Sequence, residues 1–200
     1  PLMHLVYLAF CPLGLIERVR HPALVAANGQ ILAMRRSAWD ALEGFSSVRG
    51  ALVDDVAFCR EAKRRGLRVR FADGADLASA RMYDGFDSVV RGFSKNVYAG
   101  VGSTPALLAA GAVFFVAFVL PYLAVGAALL GWGSLGGALL GVCANVGIRG
   151  LLALRFGHPA SSVVLHPVGV VLLLGIAVNS WSWSTRTGIR WAGRTYGPLS

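Results

Sequence analysis

The chain has 200 residues, of which 56% are hydrophobic and 14% are charged, and its formal net charge is +9. An average soluble domain carries roughly 25% charged residues, so this composition excludes an ordinary soluble protein and favours a membrane-bound or mixed one. The positive charge does not indicate nucleic acid, because the basic residues are not gathered into one soluble patch.

The acidic residues divide the chain into two unlike parts. All ten lie between Glu17 and Asp87, and residues 88–200 contain none. We therefore predict a water-soluble segment over residues 1–104 and a membrane region after it. Because the sequence opens at Pro1 without Met or a signal-peptide pattern, we expect a fragment whose upstream part is absent.

The cysteines are too few and too scattered for a disulfide framework. Cys11, Cys59 and Cys143 show no CxxC or Cys/His metal spacing. We predict reduced, buried thiols and no metal site.

The soluble segment begins with an apolar stretch and a turn. Residues 1–16 are apolar but shorter than the roughly 20 residues of a span, which leaves either an interfacial helix or a core element. Residues 28–36 (NGQILAMRR) are typical of a turn that enters a strand. Ser37 is then expected to cap a short helix that stops at Gly44.

A helix and a second strand follow. Residues 54–65 carry apolar side chains at helical spacing before Gly66, and residues 67–72 (LRVRFA) alternate with period two. The order strand, helix, helix, strand predicts an α/β fold for the segment.

An amphipathic helix is predicted over residues 86–98. Phe86, Val89, Val90, Phe93 and Val97 recur at three- and four-residue steps, while polar residues including Asp87, Arg91, Ser94 and Lys95 occupy the other face. The pattern leaves two alternatives open. The helix either packs on the soluble core or lies in the lipid head-group layer.

Three apolar stretches then predict transmembrane helices at about 105–130, 135–154 and 163–183. The first two form an antiparallel pair that delivers Arg149 and Arg155 to the side of the soluble segment, which the positive-inside rule places in the cytosol.

The third stretch conflicts with that rule. If it crosses, the basic tail, residues 184–200, lies outside. We therefore predict two transmembrane helices, and we leave open whether the third stretch crosses the membrane. His166-Pro167 is the place where a bend in that stretch is expected. The expected location is a bacterial inner membrane, as a multi-pass protein.

Two adjacent carboxylates, Asp54 and Asp55, precede the helix over residues 54–65. Acidic residues at a helix N-terminus are often plain caps, because the helix dipole favours negative charge there. Two are more than one cap requires, so the second alternative is a general base or a group that orients a substrate hydroxyl.

At this point the order of motifs resembles the C-terminal half of membrane-bound family 2 glycosyltransferases, and is closest to enzymes that glycosylate ceramide, hopanoid or carotenoid lipids. The motifs are NGQILAMRRSAW, Gly44-Phe45, LVDDVAFCREAKRRGLRVRFADG, RMYDGFDSVVRGFSKN and a terminal IRWAGRTY. The resemblance covers almost the whole chain. It implies that the α/β segment is part of a GT-A-like domain.

The resemblance also implies site residues. Asp55 is the implied catalytic base and Asp54 its companion, while Asn28 and Gly29 match a segment near the acceptor and the donor sugar. The family's Gln-x-x-Arg-Trp motif is missing here. Arg91, Phe93 and Lys95 occupy its neighbourhood, where a cation would stabilise a departing diphosphate.

The family's metal-binding Asp-x-Asp has no counterpart in this sequence. The resemblance implies that Mg²⁺ or Mn²⁺ enters through the missing upstream half and that this chain alone binds no metal.

The expected function is an inverting glycosyltransferase that moves a sugar from a nucleotide-sugar donor to a membrane lipid at the cytosolic face. One alternative is a polysaccharide synthase of the same family, although the apolar stretches offer few polar residues to line a pore. Another is a non-catalytic membrane protein, such as a scaffold or a transporter fragment. Arg149 and His166 are the only ionisable residues within the predicted spans that would suit a transport route, which argues against this alternative.

Overall fold

The computed structural model of the chain describes residues 2–10, 13–74, 76–191 and 194–197. It is mostly helical, with 67% of residues in helices. Residues 3–89 and residues 90–200 form separate compact units, which we call the N-terminal and C-terminal units. Each is described by itself.

Short helices make up the N-terminal unit. They are α1 (Leu2–Phe10), α2 (Leu13–Arg18), α3 (Arg36–Ala41), a 3₁₀ turn (Gly44–Val48) and α4 (Asp54–Arg64). The core is formed by Leu42, Phe58 and Ala62, and the rings of Trp39, Phe45 and Phe58 lie 4.7–6.1 Å apart between centroids.

The predicted α/β, GT-A-like fold is wrong. Within the described part of the N-terminal unit no strand forms, and neither residues 28–36 nor residues 67–72 join a sheet. The alternation in residues 67–72 did indicate the correct faces, because Leu67 and Val69 pack on the core while Arg68 and Arg70 are exposed. A strand also needs a neighbouring backbone to complete a ladder of hydrogen bonds, which side-chain alternation does not supply.

The start of α3 also differs from the prediction. Ser37 does not cap the helix, because the N-cap is Arg35 and no side chain accepts a hydrogen bond there. Arg36 instead pairs with Asp40 one turn along, at 2.9 Å. Helix α3 ends at Ala41, three residues before the predicted stop at Gly44, and φ is left-handed at both Glu43 (58°) and Gly44 (57°). A Cβ at Gly44 would lie 2.6 Å from the Trp39 ring.

Helix α4 confirms the predicted helix over residues 54–65 to within one residue. It ends before Gly66, whose φ of 80° is the left-handed conformation in which helices commonly terminate. Its buried face carries Phe58, Cys59 and Ala62, and also Lys63.

Lys63 is a buried cation that is saturated by backbone carbonyls. Its Nζ donates to the carbonyl oxygens of Ile16 at 2.7 Å, of Val19 at 2.8 Å, and of Leu24. Burial lowers the pKa of Lys63 from its ordinary value, and the three acceptors favour the protonated form because an ammonium has three donors. Lys63 therefore ties the end of α2 and the following loop to α4.

The C-terminal unit is a bundle of longer helices followed by a hairpin. Its elements are α5 (Phe86–Val101, which starts just before residue 90), α6 (Thr104–Phe118), α7 (Leu120–Leu129), α8 (Leu135–Phe156), α9 (Ser161–Val164), α10 (His166–Ser182), a π-helical turn (Trp183–Thr187), β1 (Ile189–Trp191) and β2 (Arg194–Tyr196). The two strands are antiparallel, with Ile189 opposite Tyr196.

Two helices in the described residues are long and apolar enough to cross a membrane. They are Leu135–Phe156 and His166–Thr187, each 22 residues long, with mean hydropathies of 1.7 and 1.4. At 1.5 Å per residue each is about 33 Å long, which matches the roughly 30 Å hydrocarbon layer. Only 22% of each apolar window is buried inside the protein, which leaves the rest for lipid.

The structure agrees with two of the three predicted apolar stretches and divides the other one. The stretch at 135–154 lies within α8. The stretch at 163–183, whose crossing of the membrane was left open, lies almost wholly within the helix His166–Thr187. The stretch is interrupted at Leu165, between α9 and α10, next to the predicted place at His166-Pro167. His166-Pro167 begins α10, where proline is tolerated in a first turn. The stretch at 105–130 is instead divided between α6 and α7 at Val119.

The division has a chemical cause in Pro121. An unbroken helix would pair the carbonyl of Ala117 with the N–H of residue 121, which proline lacks. The side chain of Asn145 on α8 donates to that carbonyl from Nδ2 at 2.9 Å. Gly141, one turn earlier on α8, admits Pro121, since a Cβ there would lie 2.9 Å from the proline Cβ.

The hydrogen bond from Asn145 to the Ala117 carbonyl predicts that replacing Asn145 lowers the stability of the helix bundle. Asn145→Leu should destabilise the bundle by about 1–2 kcal/mol, because no water in a bilayer core replaces the lost donor. Unfolding in mixed micelles with increasing SDS measures the difference. The outward-facing change Val146→Leu is the control, and equal stabilities for the two variants would contradict the role of Asn145.

Helix α5 confirms the predicted helix over residues 86–98 but packs by an unexpected face. Ser94 and Ser180 have no exposed surface; Ser94 accepts from Asn179 Nδ2, and Ser180 accepts from the Tyr98 N–H, both at 2.9 Å. Ser94 was assigned to the polar side, whereas Phe86 on the apolar side is 63% exposed. Small polar side chains therefore bring α5 close to α10.

Helix α5 meets α6 at an angle of 114°, so the pair is a broken span or a re-entrant loop, and the number of candidate spans is two or three. At this level the structure agrees with a membrane protein.

Candidate functional site

The two adjacent carboxylates open α4, with Asp54 and Asp55 in its first turn. A helix N-terminus carries unpaired N–H groups and a partial positive charge, which favour acidic side chains. The Asp54 side chain accepts a hydrogen bond from the Asp55 N–H at 3.1 Å, and Asp54 is exposed.

Asp55 is held from two sides by backbone N–H groups. Its Oδ2 accepts from the N–H of Gly29 at 2.7 Å, and its Oδ1 accepts from the N–H of Val56 at 2.8 Å. The orientation of the carboxylate is thereby set. Each oxygen of a carboxylate can accept about two hydrogen bonds, so acceptor capacity remains for a further donor.

Gly29 lies in a turn that brings its N–H to Asp55. The Ile31 N–H donates to the carbonyl of Asn28 at 3.1 Å, and the Asn28 side chain accepts from the Gln30 N–H at 3.4 Å. A Cβ at position 29 would lie 3.1 Å from Asp55 Oδ2, which is a tight contact. Glycine thus allows the turn to approach the carboxylate.

These contacts join four predicted site residues. Asn28 and Gly29 lie at least 25 residues before Asp54 and Asp55 in sequence, yet Gly29 contacts Asp55 directly. The arrangement presents an oriented, partly exposed carboxylate at a helix N-terminus. It can accept a proton from a hydroxyl group that approaches within hydrogen-bond distance.

The other predicted site residues lie in the C-terminal unit. Arg91, Phe93 and Lys95 are all on α5, where Arg91 is exposed and the other two are half-buried. That they share a site with Asp55 stays a prediction.

Cys59 lies one turn after Asp55 and is 8% exposed. Burial raises the pKa of its thiol to about 11, and the negative charge of Asp55 contributes in the same direction. A thiol with that pKa is protonated at neutral pH and is a poor nucleophile, so Cys59 serves as a core residue.

Within the described residues, no group of three or more His, Cys, Asp or Glu side chains is placed to hold a metal ion.

Sequence reasoning missed the structural role of Lys63. The basic residues over positions 60–70 predicted no structural role for Lys63. A signal was present, because Lys63 follows Cys59 by four residues and therefore falls on the apolar face of α4. A lysine at such a position needs buried acceptors, which it finds in three carbonyls.

Comparison of the chain with models of protein families, with curated proteins and with solved structures gives no match. The family resemblance in the sequence therefore remains a hypothesis.

Proposed function

We propose that the protein is an inverting glycosyltransferase that moves a sugar from a nucleotide-sugar donor to a lipid acceptor at the cytosolic face of a membrane. The observation that carries the proposal is the contact between Asp55 Oδ2 and the Gly29 N–H at 2.7 Å. It joins two motifs that the family resemblance had assigned to one site. The resemblance also implied an α/β fold, which the structure contradicts, so the proposal rests on this contact and on the order of the motifs.

In the proposed reaction Asp55 is the general base. Its carboxylate accepts the proton of the acceptor hydroxyl, and the oxygen forms a bond to the anomeric carbon of the sugar as the bond to the nucleoside diphosphate breaks. The configuration inverts in this single step. The hydrogen bonds from Gly29 and Val56 hold the base in one orientation, so less rotational freedom is lost in reaching the transition state.

The departing diphosphate needs positive charge. Arg91 and Lys95 on α5 are the proposed source, with Phe93 beside them, and Asp54 is the proposed companion of the base. An arginine or lysine near developing phosphate charge stabilises the transition state electrostatically. A Mg²⁺ or Mn²⁺ requirement would reside in the donor-binding part, which the resemblance does not place in these residues.

The apolar helices support a lipid as the acceptor. The two long helices leave most of their surface for lipid, which keeps the protein in the layer that holds a membrane-bound hydroxyl. Residues 167–178 carry no polar side chain, and α8 carries only Asn145, Arg149 and Arg155 besides its cysteine, which favours transfer of a single sugar over extrusion of a polymer.

The proposal is tested with the complete protein in nanodiscs that contain a bacterial lipid extract. Labelled nucleotide sugars are supplied one at a time, and the expected result is label in the chloroform phase as a glycolipid. Labelled polymer of high mass on a gel would favour a polysaccharide synthase instead. Binding of no nucleotide sugar at all would contradict the proposal and favour a scaffold.

A further inference from the structure

A basic cleft of about 490 Å³ lies on the N-terminal unit. It is formed where the end of α2 and the residues after it face the segment that follows α4. Its walls comprise residues 17–20, Lys63 and residues 67–69. Neither Asp55 nor Gly29 belongs to this lining.

The charges in the cleft are unequal. Four cations line it, Arg18, Arg20, Lys63 and Arg68, against one carboxylate, Glu17. Glu17 is already engaged, because it accepts a hydrogen bond from Arg70, which lowers the pKa of Glu17 and raises that of Arg70.

The three arginines of the cleft can contact a bound anion. Among the residues that the structure describes, Arg18, Arg20 and Arg68 enter no ion pair, and all three are exposed. Guanidinium groups gathered in a concave site repel one another and concentrate a positive potential, which an anion relieves.

The cleft is also held in shape. Lys63 binds the carbonyls of Ile16, Val19 and Leu24, so the chain that carries Arg18 and Arg20 is fastened to α4. Arg68 lies on the chain that leaves α4 just beyond Gly66. Both walls therefore depend on the same helix, and the cations are presented without first ordering a loop.

We propose that this cleft binds a phosphate group carried as a phosphomonoester or diphosphate. Arginine forks pair with phosphate oxygens in a bidentate manner, which gives both affinity and geometry. The phosphate has two chemical sources, a lipid head group and a soluble phosphate compound. The site is independent of sugar transfer and needs no activity from Asp55.

The test uses the complete protein in non-ionic detergent micelles. Two probes are titrated separately, inorganic pyrophosphate and the short-chain lipid dihexanoyl phosphatidic acid. Hydrogen–deuterium exchange of residues 13–20 and 64–70 reports binding. Protection by pyrophosphate identifies a soluble source, and protection by the lipid alone identifies a head group.

The variant Arg18→Gln/Arg68→Gln is expected to lose at least about 10-fold in affinity, which corresponds to one lost charge-assisted contact. Arg35→Gln/Arg49→Gln removes the same charge from exposed positions outside the cleft and should stay within about twofold of the wild type. Unchanged exchange of the α4 amides without probe verifies the fold, and Arg20→Gln replaces the double variant if it fails that check. Absence of protection by both probes, or an equal loss in the control, would overturn the proposal.

Discussion

Asp55→Asn is expected to lower the turnover of sugar transfer by about 10²- to 10⁴-fold, the range that a general base contributes. The substitution keeps the size of the side chain and one oxygen that can accept from Gly29 or Val56. It removes the charge and the ability to take a proton from a hydroxyl group. The protein should therefore remain folded and membrane-inserted while transfer is lost.

Asp40→Asn is the matched control for this variant. Asp40 is an exposed carboxylate of the same unit, and its partner is Arg36. Surface ion pairs of this kind contribute about 0–1 kcal/mol, so the control should turn over like the wild type. Turnover of Asp55→Asn at the wild-type rate with donor and acceptor would show that Asp55 is a structural latch between α4 and the turn at Gly29.

Lys63→Met should destabilise the N-terminal unit by about 2–4 kcal/mol. Methionine preserves the length and apolar stem of lysine but removes all three donors. The carbonyls of Ile16, Val19 and Leu24 then lose their partner, and each buried acceptor left without one costs about 1–3 kcal/mol. The expected loss lies at the lower end of what three such acceptors would cost, because two of the three contacts are only partly buried and water can reach them.

The effect is measured by hydrogen–deuterium exchange of residues 13–26 in the complete protein. Exchange there should accelerate by roughly 30-fold or more, since 1.4 kcal/mol is about tenfold in an opening equilibrium. Arg64→Met is the control, because Arg64 is exposed and its ion-pair partner is Glu61. If exchange in Lys63→Met matched the control, the three carbonyl contacts would contribute nothing to stability.

The variants Asp55→Asn and Lys63→Met distinguish the proposed catalytic role of Asp55 from the structural role of Lys63. Asp55→Asn changes chemistry and leaves the unit folded, whereas Lys63→Met loosens the segment before the Asn28–Gly29 turn. Loss of transfer in Lys63→Met together with faster exchange would mean that the turn needs this support. It would not make Lys63 a catalytic residue.

In the N-terminal unit, a helix could be predicted where the sequence marks its start, its apolar face and its end. Helix α4 has helical apolar spacing, two acids at its start and a glycine at its end, and its bounds were correct to within one residue. Residues 67–72 carried only alternation. Alternation indicates which side chains face the core, but pairing requires a second strand, and the described residues of this unit supply none.

The sequence by itself predicted a membrane protein, because acid-free apolar stretches of 20 residues or more have few other stable environments. The structure agrees, with two or three helices in the described residues that are long and apolar enough to span a membrane. The sequence carried a signal for the break in the first stretch, because Pro121 lacks the N–H that a continuous helix needs, but only the tertiary structure showed which group satisfies the freed carbonyl. Pro121 breaks the first, and Asn145, 28 residues from Ala117, satisfies the freed carbonyl. No local pattern encodes a partner at that distance.

The same reason applies to the candidate site. The sequence singled out Asp55 and Gly29 separately, on motif order, and gave no ground for a direct contact between them. The fold brought the Gly29 N–H to 2.7 Å from the Asp55 carboxylate because a turn without a Cβ can approach a helix N-terminus closely. For Lys63 the sequence places the side chain on the apolar face of α4, but only the fold identifies its three carbonyl partners in a distant segment.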